Sequence, residues 1–178
     1  MHKIKSFHIA LLDDKDAKNL NELMVSNAER FKRYFPKTLS SNLTLEDSER
    51  YIIAKTTELQ SHECYTFAIK EKATENIAGL IIVKKIDFET QQAELAYGIA
   101  AQYEGKGLVT FAVKEVSNFA FNELNLKTLQ IISHKTNLGS VKVAVKSGFV
   151  WQRTLPNEFT PTNELPLDME LYELTKND

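Results

Sequence analysis

The chain has 178 residues and a mass of 20.3 kDa, about 1.2 times the roughly 150 residues of an average domain, so we expect one domain over residues 1–178. Its 22 basic and 24 acidic residues leave a formal charge of −2, which gives no basic field for nucleic acid or an anionic membrane. The single cysteine, Cys64, excludes an internal disulfide, and it leaves no zinc-binding pattern with the four histidines.

The N-terminal segment and the apolar runs bear on where the protein acts. Met1–His8 lacks the apolar stretch and cleavage site of a signal peptide. The apolar run Ile77–Val83 is much shorter than the ~20 residues that a membrane-spanning helix needs. We therefore expect a soluble, cytoplasmic protein with no membrane partner.

The first third of the chain predicts a strand followed by two helices. Apolar residues at helical spacing predict a helix over Lys15–Tyr34, which Pro36 should end. Thr44 is a predicted N-cap of the second helix, with Asp47 three residues later in the capping-box position. The strand is expected over Ile4–Leu12, and the second helix is expected to run to about Leu59.

The rest of the chain predicts six strands and two helices. The strands are expected at Cys64–Lys70, Asn76–Ile86, Ala93–Ala100, Thr128–Ser133, Phe149–Thr154 and Leu167–Leu174, the last two around a proline-containing loop. The helices are expected from Gly107 to about Leu124 and over Leu138–Ser147. Consecutive strands indicate antiparallel pairs, whereas the strand–helix–strand unit from Ala93 to Ser133 indicates a parallel crossover. Phe149 and Trp151 are expected in the core of this mixed α/β sheet, and Cys64 is expected to be a small buried residue.

Two of the six glycines, Gly105 and Gly107, lie in one short turn between a predicted strand and a long predicted helix. The free N–H groups of such a helix start favour an anion such as phosphate, and Lys106 would add a positive charge. A turn in which glycine only relieves a steric conflict is the alternative, and this segment alone leaves both open. A Walker A motif is absent, and a dinucleotide fingerprint would need glycine where Thr110 stands.

A second polar pair, Asn137 and Ser140, lies three residues apart at a predicted helix start. Its simplest interpretation is structural, with Asn137 as the N-cap and Ser140 in the first turn.

The two segments together carry a resemblance to a known family. A Gln-x-x-Gly-x-Gly motif at residues 102–107, an Asn-x-x-Ser motif at residues 137–140 and the dipeptide Gly148-Phe149 follow one another in this order. This combination resembles the GNAT family of acyl-CoA N-acetyltransferases, and within it the RimJ/RimL-like branch. The resemblance covers about Cys64–Thr154, and the first sixty residues more loosely. It implies an α/β (α+β) fold with a mixed, mostly antiparallel sheet of about seven strands, flanked by helices and splayed between the fourth and fifth strands.

The resemblance also implies acetyl-CoA as co-substrate and no metal. The backbone of Gly98, Ile99 and Ala100 would pair with the pantetheine arm. Asn137 and Ser140 would reach the pantetheine and the sulfur from the next strand–helix junction. The pyrophosphate would be held by the turn, whose implied residues are Gln102, Gly105, Lys106, Gly107 and Leu108.

The implied reaction is direct attack of an amine on acetyl-CoA in a ternary complex, which needs a proton acceptor and a partner for the departing thiolate. Glu94 is the candidate base, directly or through water, because strand alternation puts it on one face with two small residues. A solvent-facing strand carboxylate paired with a lysine is the structural alternative. Ser140 is the candidate partner of the thiolate. Many GNAT enzymes carry a tyrosine acid where this chain has Ala144, which argues against a tyrosine-acid mechanism and makes the polyamine-acetylating relatives a poorer match.

The implied acceptor is a primary amine, either a protein N-terminus such as that of a ribosomal protein or a small amine. It should contact the N-terminal helices and the loop at residues 157–165. Acidic residues there would favour a cationic acceptor if they cluster; they are Glu22, Glu29, Glu46, Asp47, Glu158 and Glu164. A non-catalytic acyl-CoA-binding or sensing module is the alternative function. The protein is expected to be a monomer or a homodimer with no nucleic-acid partner.

Overall fold

The computed structural model describes residues 4–161 and 164–176. Its strands are β1 (Phe7–Leu11), β2 (Tyr65–Glu71), β3 (Ile77–Asp87), β4 (Gln92–Ile99), β5 (Thr128–Ser133), β6 (Val150–Phe159) and β7 (Leu167–Thr175). Its helices are α1 (Ala17–Ser26), α2 (Ala28–Tyr34), α3 (Pro36–Ser40), α4 (Leu45–Gln60), α5 (Leu108–Asn122) and α6 (Leu138–Lys146). Short 3-10 turns lie at Ile4–Ser6, Asp14–Asp16 and Ala101–Tyr103.

The strands form a seven-stranded sheet in the order β1-β2-β3-β4-β5-β7-β6. β1 pairs antiparallel with β2, and β7 pairs antiparallel with β5 and β6. The connections from β2 to β3 and from β3 to β4 are too short for the crossover that parallel neighbours need. β4 and β5 are the parallel pair, joined through α5; their pairing covers Gln92–Glu94 and Thr128–Gln130, and both strands run on beyond it. The predicted mixed, mostly antiparallel sheet is confirmed.

Two compact units divide the chain. The first holds residues up to Ile82 together with Tyr97–Val109, and the second holds Val83–Ala96 and the chain from Thr110 onward. Strands β3 and β4 therefore contribute residues to both units. Fully buried side chains of the first unit include Leu20, Met24, Ile69, Leu80 and Ile81. Those of the second unit include Val83, Val113, Leu126, Leu129 and Ile131.

The N-terminal helical region differs from the prediction of one helix over Lys15–Tyr34. The chain instead forms α1 and α2 with a break at Asn27, where φ is −123°. The Asn27 amide nitrogen donates to the Leu23 carbonyl at 2.9 Å, and its Oδ1 accepts from the Ala101 N–H at 2.9 Å. These bonds stabilise the break because they fix the side chain of Asn27 between its own helix and a distant turn.

The region after α2 also differs in one respect. Helix α2 ends at Tyr34 before Pro36, as predicted, but Pro36 also begins the unpredicted helix α3, at a position that proline fits because its missing N–H has no helical partner there. The predicted capping box of α4 is confirmed: the Asp47 N–H donates to Thr44 Oγ1 at 3.1 Å, and the Thr44 N–H donates to Asp47 Oδ2 at 3.1 Å.

Strand β6 is longer and more exposed than predicted. It runs to Phe159 through Pro156, which was expected in a loop. Proline fits here because β6 is the last strand of the sheet, where a ladder N–H can be missing. The same edge position leaves Trp151 53% exposed, so its expected place in the core is wrong, whereas Phe149 and Cys64 are buried as predicted.

Candidate active site

The glycine turn before α5 has the backbone conformation that its sequence indicates. Gly105 and Gly107 have φ of 70° and 76°, in the left-handed region that favours glycine. A Cβ on Gly105 would meet nothing within 4 Å, and one on Gly107 would come no closer than 4.0 Å to Ile4 Cδ1. The turn is exposed up to Gly107, and Leu108 is buried as α5 begins. The glycines are therefore required by conformation, and the space beside them is open.

Lys106 folds back onto this turn. Its Nζ donates to the Gln102 carbonyl and lies 5.2 Å from the centre of the Tyr103 ring. The Tyr103 ring in turn packs edge-on against Phe7, with centroids 5.5 Å apart. The ammonium group is thus held at the turn by contacts within the first unit.

The end of β4 is closely packed and partly hydrogen-bonded. A Cβ on Gly98 would lie 3.0 Å from Phe31 Cε1, and a Cβ on Gly79 would lie 2.4 Å from the Gly98 carbonyl oxygen. The Ala100 N–H donates to the Ala78 carbonyl at 2.8 Å, and the Ala100 carbonyl accepts from the Tyr103 N–H at 3.0 Å. Both backbone groups of Ala100 are therefore engaged within the protein.

Two residues of this region that the sequence did not single out are Asn27 and Arg30. Arg30 Nε donates to the Ile99 carbonyl at 2.9 Å, and its Nη1 donates to Glu104 Oε2 at 2.8 Å. Together with the bond from the Ala101 N–H to Asn27, these contacts tie α2 to the segment that leads into the glycine turn. No local sequence pattern indicates these contacts, because the residues that form them are about seventy positions apart in sequence.

Asn137 and Ser140 lie at the start of α6, as predicted. The Ser140 N–H donates to Asn137 Oδ1 at 3.3 Å, which makes Asn137 the N-cap, and the Asn137 N–H donates to the His134 carbonyl at 2.9 Å. Both side chains are half-buried. Ala144, on the following turn, is fully buried. The structural interpretation of Asn137 as the N-cap of α6 is confirmed.

Glu94 is a buried, doubly paired carboxylate. Its Oε1 lies 2.8 Å from Lys84 Nζ and its Oε2 lies 2.8 Å from Lys85 Nζ, while the Glu94 side chain is only 10% exposed. Consecutive strand residues normally point to opposite faces, but Lys85 has a φ of 51° that breaks this alternation. Burial alone raises the pKa of Glu94, but the attraction of Lys84 and the hydrogen bonds from both lysines outweigh burial and lower it.

A pocket of about 460 Å³ opens in the second unit. It is lined by His134, Lys135, Thr154, Pro166, Leu167, Asp168 and Glu170. Glu170 Oε2 accepts from Trp151 Nε1 at 2.6 Å, and Asp168 Oδ1 accepts from the Asn157 N–H at 2.9 Å. Because His134 also anchors the N–H of Asn137, the pocket adjoins the turn that begins α6.

Three of the six acidic residues considered for a cationic acceptor are paired with basic residues of their own helix. Glu46 and Asp47 bind Arg50 at 2.9 and 2.8 Å, and Glu22 lies 3.9 Å from Lys18. Within residues 4–161 and 164–176, no group of three His, Cys, Asp or Glu side chains is arranged to hold a metal ion. Over the same ranges, every helix is too short or too polar to span a membrane.

The described residues form a mixed seven-stranded sheet with the parallel pair β4–β5 and a glycine turn at the start of the crossover helix α5. The model of the acetyltransferase (GNAT) domain matches residues 8–150 of this chain. The chain therefore belongs to the GNAT acetyltransferase family, and the predicted class, an acetyl-CoA-dependent N-acetyltransferase, is confirmed.

Similar proteins are known in both sequence and structure. The chain is 27% identical over 170 residues to YdaF of Bacillus subtilis, which is named as a ribosomal N-acetyltransferase, covering 96% of this chain and 91% of that protein. It is 35% identical over 82 residues to the spermidine N(1)-acetyltransferase of Escherichia coli K12, covering 46% of this chain and 44% of that protein. The crystal structure of the microcin C7 self-immunity acetyltransferase MccE with acetyl-CoA and AMP has a TM-score of 0.86 at 22% identity, covering 98% of this chain and 95% of that one.

Proposed function

We propose that this protein transfers the acetyl group of acetyl-CoA to the α-amine of a protein N-terminus, by direct attack in a ternary complex. The observation that carries the proposal is the exposed glycine turn at the start of α5 in a chain of the GNAT family. Its two left-handed glycines leave open space beside the N–H groups of a 15-residue helix. That combination suits an anionic group such as a pyrophosphate.

The proposed cofactor contacts lie at the end of β4, in the turn before α5 and at the start of α6. Gln102, Gly105, Lys106, Gly107 and Leu108 would hold the pyrophosphate. Gly98 and Ile99 would pair with the pantetheine arm, and Asn137 and Ser140 would reach its far end. Ala100, which was predicted to pair with the same arm, would contribute least, since its N–H and its carbonyl already bind Ala78 and Tyr103.

For the departing thiolate we propose Ser140 as the partner. Its backbone N–H is bound to Asn137, which fixes the residue at the start of α6, where N–H groups and the helix dipole favour a negative charge. Ala144 is fully buried and carries no acid, so this chain has no tyrosine for that task on the following turn.

For the proton of the amine we propose that Glu94 acts through a water molecule. A carboxylate whose pKa is lowered by Lys84 and Lys85 is a poor final proton acceptor. It is, however, a fixed negative charge that polarises water, and the proton passes from that water to solvent. This weak base favours an acceptor that is already largely neutral.

The choice of acceptor follows from amine chemistry. An α-amine has a pKa of about 7.7–8.0, so a substantial fraction is neutral near pH 7.5, whereas alkylamines with a pKa of about 10.4 are almost entirely protonated. A protein N-terminus therefore fits the weak base better than a polyamine does. The similarity to YdaF over nearly the whole chain supports the same choice over the shorter match to the spermidine enzyme. Asp168 and Glu170 in the pocket would accept hydrogen bonds from the N–H groups of the neutral α-amine and of the first peptide bond.

The test is release of CoA thiol from acetyl-CoA with three acceptors: a peptide with a free N-terminus, the same peptide N-acetylated, and spermidine. We expect release with the free peptide, none with the blocked peptide and slower release with spermidine. Asp168→Asn, which keeps an oxygen for the Asn157 N–H, should raise the KM for the peptide by about three- to tenfold because a hydrogen bond to a charged acceptor becomes one to a neutral amide. Glu115→Gln, on the exposed face of α5, is the matched control and should leave the KM unchanged.

A non-catalytic acyl-CoA-binding module is the outcome that would overturn this function. It predicts CoA binding with no thiol release on any of the three acceptors. We further propose that residues 1–178 act as one GNAT domain in the cytoplasm, as a monomer or homodimer, with no nucleic-acid or membrane partner.

A further inference from the structure

The Arg30 side chain connects two points of the segment that precedes the glycine turn. Its Nε donates to the carbonyl of Ile99, the last residue of β4, and its Nη1 donates to the carboxylate of Glu104. The distances are 2.9 and 2.8 Å, and the Arg30 side chain is 35% exposed. One guanidinium therefore fixes the start and the end of a six-residue stretch of backbone, Ile99–Glu104.

The neighbouring contacts hold the same stretch from the same helix. Asn27, the residue before α2, accepts a hydrogen bond from the Ala101 N–H at 2.9 Å. Phe31 packs so closely on Gly98 that an added Cβ would lie 3.0 Å from its ring. These contacts orient Arg30, because the residue lies on α2 between two positions that already touch the segment.

Arg30 compensates the negative charge of Glu104, which lies next to the glycine turn. Glu104 immediately precedes Gly105, where the proposed function puts the pyrophosphate of acetyl-CoA. The hydrogen bond and the charge of Arg30 lower the pKa of Glu104, so the carboxylate is ionised at neutral pH. An ionised carboxylate beside a pyrophosphate repels it unless a cation compensates the charge.

We propose that Arg30 is a positioning residue for acetyl-CoA: it neutralises Glu104 so that the glycine turn accepts a pyrophosphate, and its bond to the Ile99 carbonyl holds the guanidinium in place. This proposal rests on the proposed function, because it takes the turn to be the pyrophosphate site. It assigns to the N-terminal helix α2 an indirect part in cofactor affinity. Arg30 acts through the charge of Glu104, not on the reacting atoms.

The experiment is calorimetric titration with CoA and with pantetheine, which lacks the phosphates. Arg30→Met should weaken CoA binding about tenfold, the effect of one uncompensated charge near the ligand at a surface site. It should change pantetheine binding by less than about threefold. Adding Glu104→Gln to Arg30→Met removes the uncompensated carboxylate and should restore most of the CoA affinity. The KM for acetyl-CoA should rise in Arg30→Met while kcat stays within about twofold.

The controls separate this proposal from the one on which it rests. Arg33→Met removes another arginine of α2, one that donates to Tyr34 of its own helix, and should leave CoA affinity unchanged. If Arg30→Met does not fold, Arg30→Gln replaces it, with the same expected loss and the same recovery on adding Glu104→Gln. Unchanged CoA affinity in the Arg30 variant, an equal loss for pantetheine, or no recovery in the double variant would each overturn the proposal. If the parent protein itself fails to bind CoA, the proposed function fails.

Discussion

The Glu94→Gln substitution distinguishes an ion-paired carboxylate from a conventional general base. Glutamine has the shape of glutamate, so packing is preserved in a side chain that is only 10% exposed. The substitution removes the charge that both Lys84 and Lys85 contact at 2.8 Å. Its effects on stability and on turnover can therefore be measured in the same variant.

The stability effect follows from the two contacts. Hydrogen bonds to charged groups contribute about 1.5–3 kcal/mol each, so two would give about 3–6 kcal/mol if both lysines were buried. The Lys84 and Lys85 side chains are 38% and 64% exposed, and water solvates much of their charge after the substitution. We therefore expect Glu94→Gln to lower the free energy of unfolding by about 1–2 kcal/mol near neutral pH. Glu173→Gln, a strand glutamate bonded to Gln130, is the matched control and should cost less than about 1 kcal/mol.

The pH dependence has a defined sign. Because the pKa of Glu94 is lowered on folding, its stabilisation is fully present above the unfolded value of 4.5 and is lost as the pH falls through the folded value. Urea unfolding should show a constant difference between parent and variant from about pH 6 to 8, and a shrinking difference below about pH 4.5. A difference that grows on acidification would refute the assignment of two ion pairs.

The kinetic effect follows from the same low pKa. A true general base contributes about 10²–10⁴-fold, whereas a fixed charge that polarises water should be worth about tenfold in kcat. The ratio of kcat between parent and Glu94→Gln should also be independent of pH from about pH 6 to 9, because Glu94 does not titrate there. If the parent shows an acid limb near neutral pH that disappears in the variant, Glu94 is a base with a raised pKa and the reasoning is wrong.

Three further predictions concern the fold. Lys70→Met should lower the free energy of unfolding in urea by about 3–5 kcal/mol, because it removes the ammonium group that lies 2.7 Å from the buried Asp16 carboxylate. The double variant with Asp16→Leu should recover part of this loss. Burial raises the pKa of Cys64 to about 11. A thiol reagent near pH 8 should therefore label Cys64 slowly in the native protein and fully in urea. Rapid labelling of the native protein would contradict the burial of this thiol. Gly79→Ala should cost at least about 2 kcal/mol, since its Cβ would lie 2.4 Å from the Gly98 carbonyl oxygen, and an unchanged melting temperature would contradict this close approach.

Local signals account for the parts of the fold that the sequence predicts. The Thr44–Asp47 capping box and the Asn137 cap depend on residues three positions apart, so a short window contains both partners. The glycine turn is equally local, because Gly105 and Gly107 must supply the left-handed backbone themselves. The parallel pair follows from chain order, since a helix lies between β4 and β5.

Long-range contacts account for what the sequence does not predict. The break at Asn27 divides a segment with continuous helical spacing, and its bond to the Ala101 N–H joins residues 74 apart. Arg30 looks like a solvated helix residue until Glu104 is brought beside it by the fold. Trp151 is exposed because its strand, β6, lies at the edge of the sheet. The residues of β6 alone do not indicate where in the sheet that strand will lie.

The pairing of Glu94 with two lysines is another contact that the sequence does not predict. Strand alternation predicts one lysine at most on the face of Glu94, because Lys84 and Lys85 are consecutive. The left-handed backbone of Lys85 brings both ammonium groups to the same carboxylate. Non-glycine residues adopt that conformation rarely, so the sequence pattern points away from it.

The central claim is that the glycine turn holds the pyrophosphate of acetyl-CoA, and calorimetry on two variants of Gly107 tests it most directly. Gly107→Ala and Gly107→Asp both place a Cβ on a backbone with φ of 76°, where the nearest neighbouring atom is Ile4 Cδ1 at 4.0 Å. Both variants therefore carry a similar strain of about 1–2 kcal/mol. Only the aspartate adds a negative charge where the phosphates should lie. We predict that Gly107→Asp binds CoA at least about tenfold more weakly than Gly107→Ala, with pantetheine affinity similar in the two. Equal CoA affinity in the two folded variants would contradict the claim.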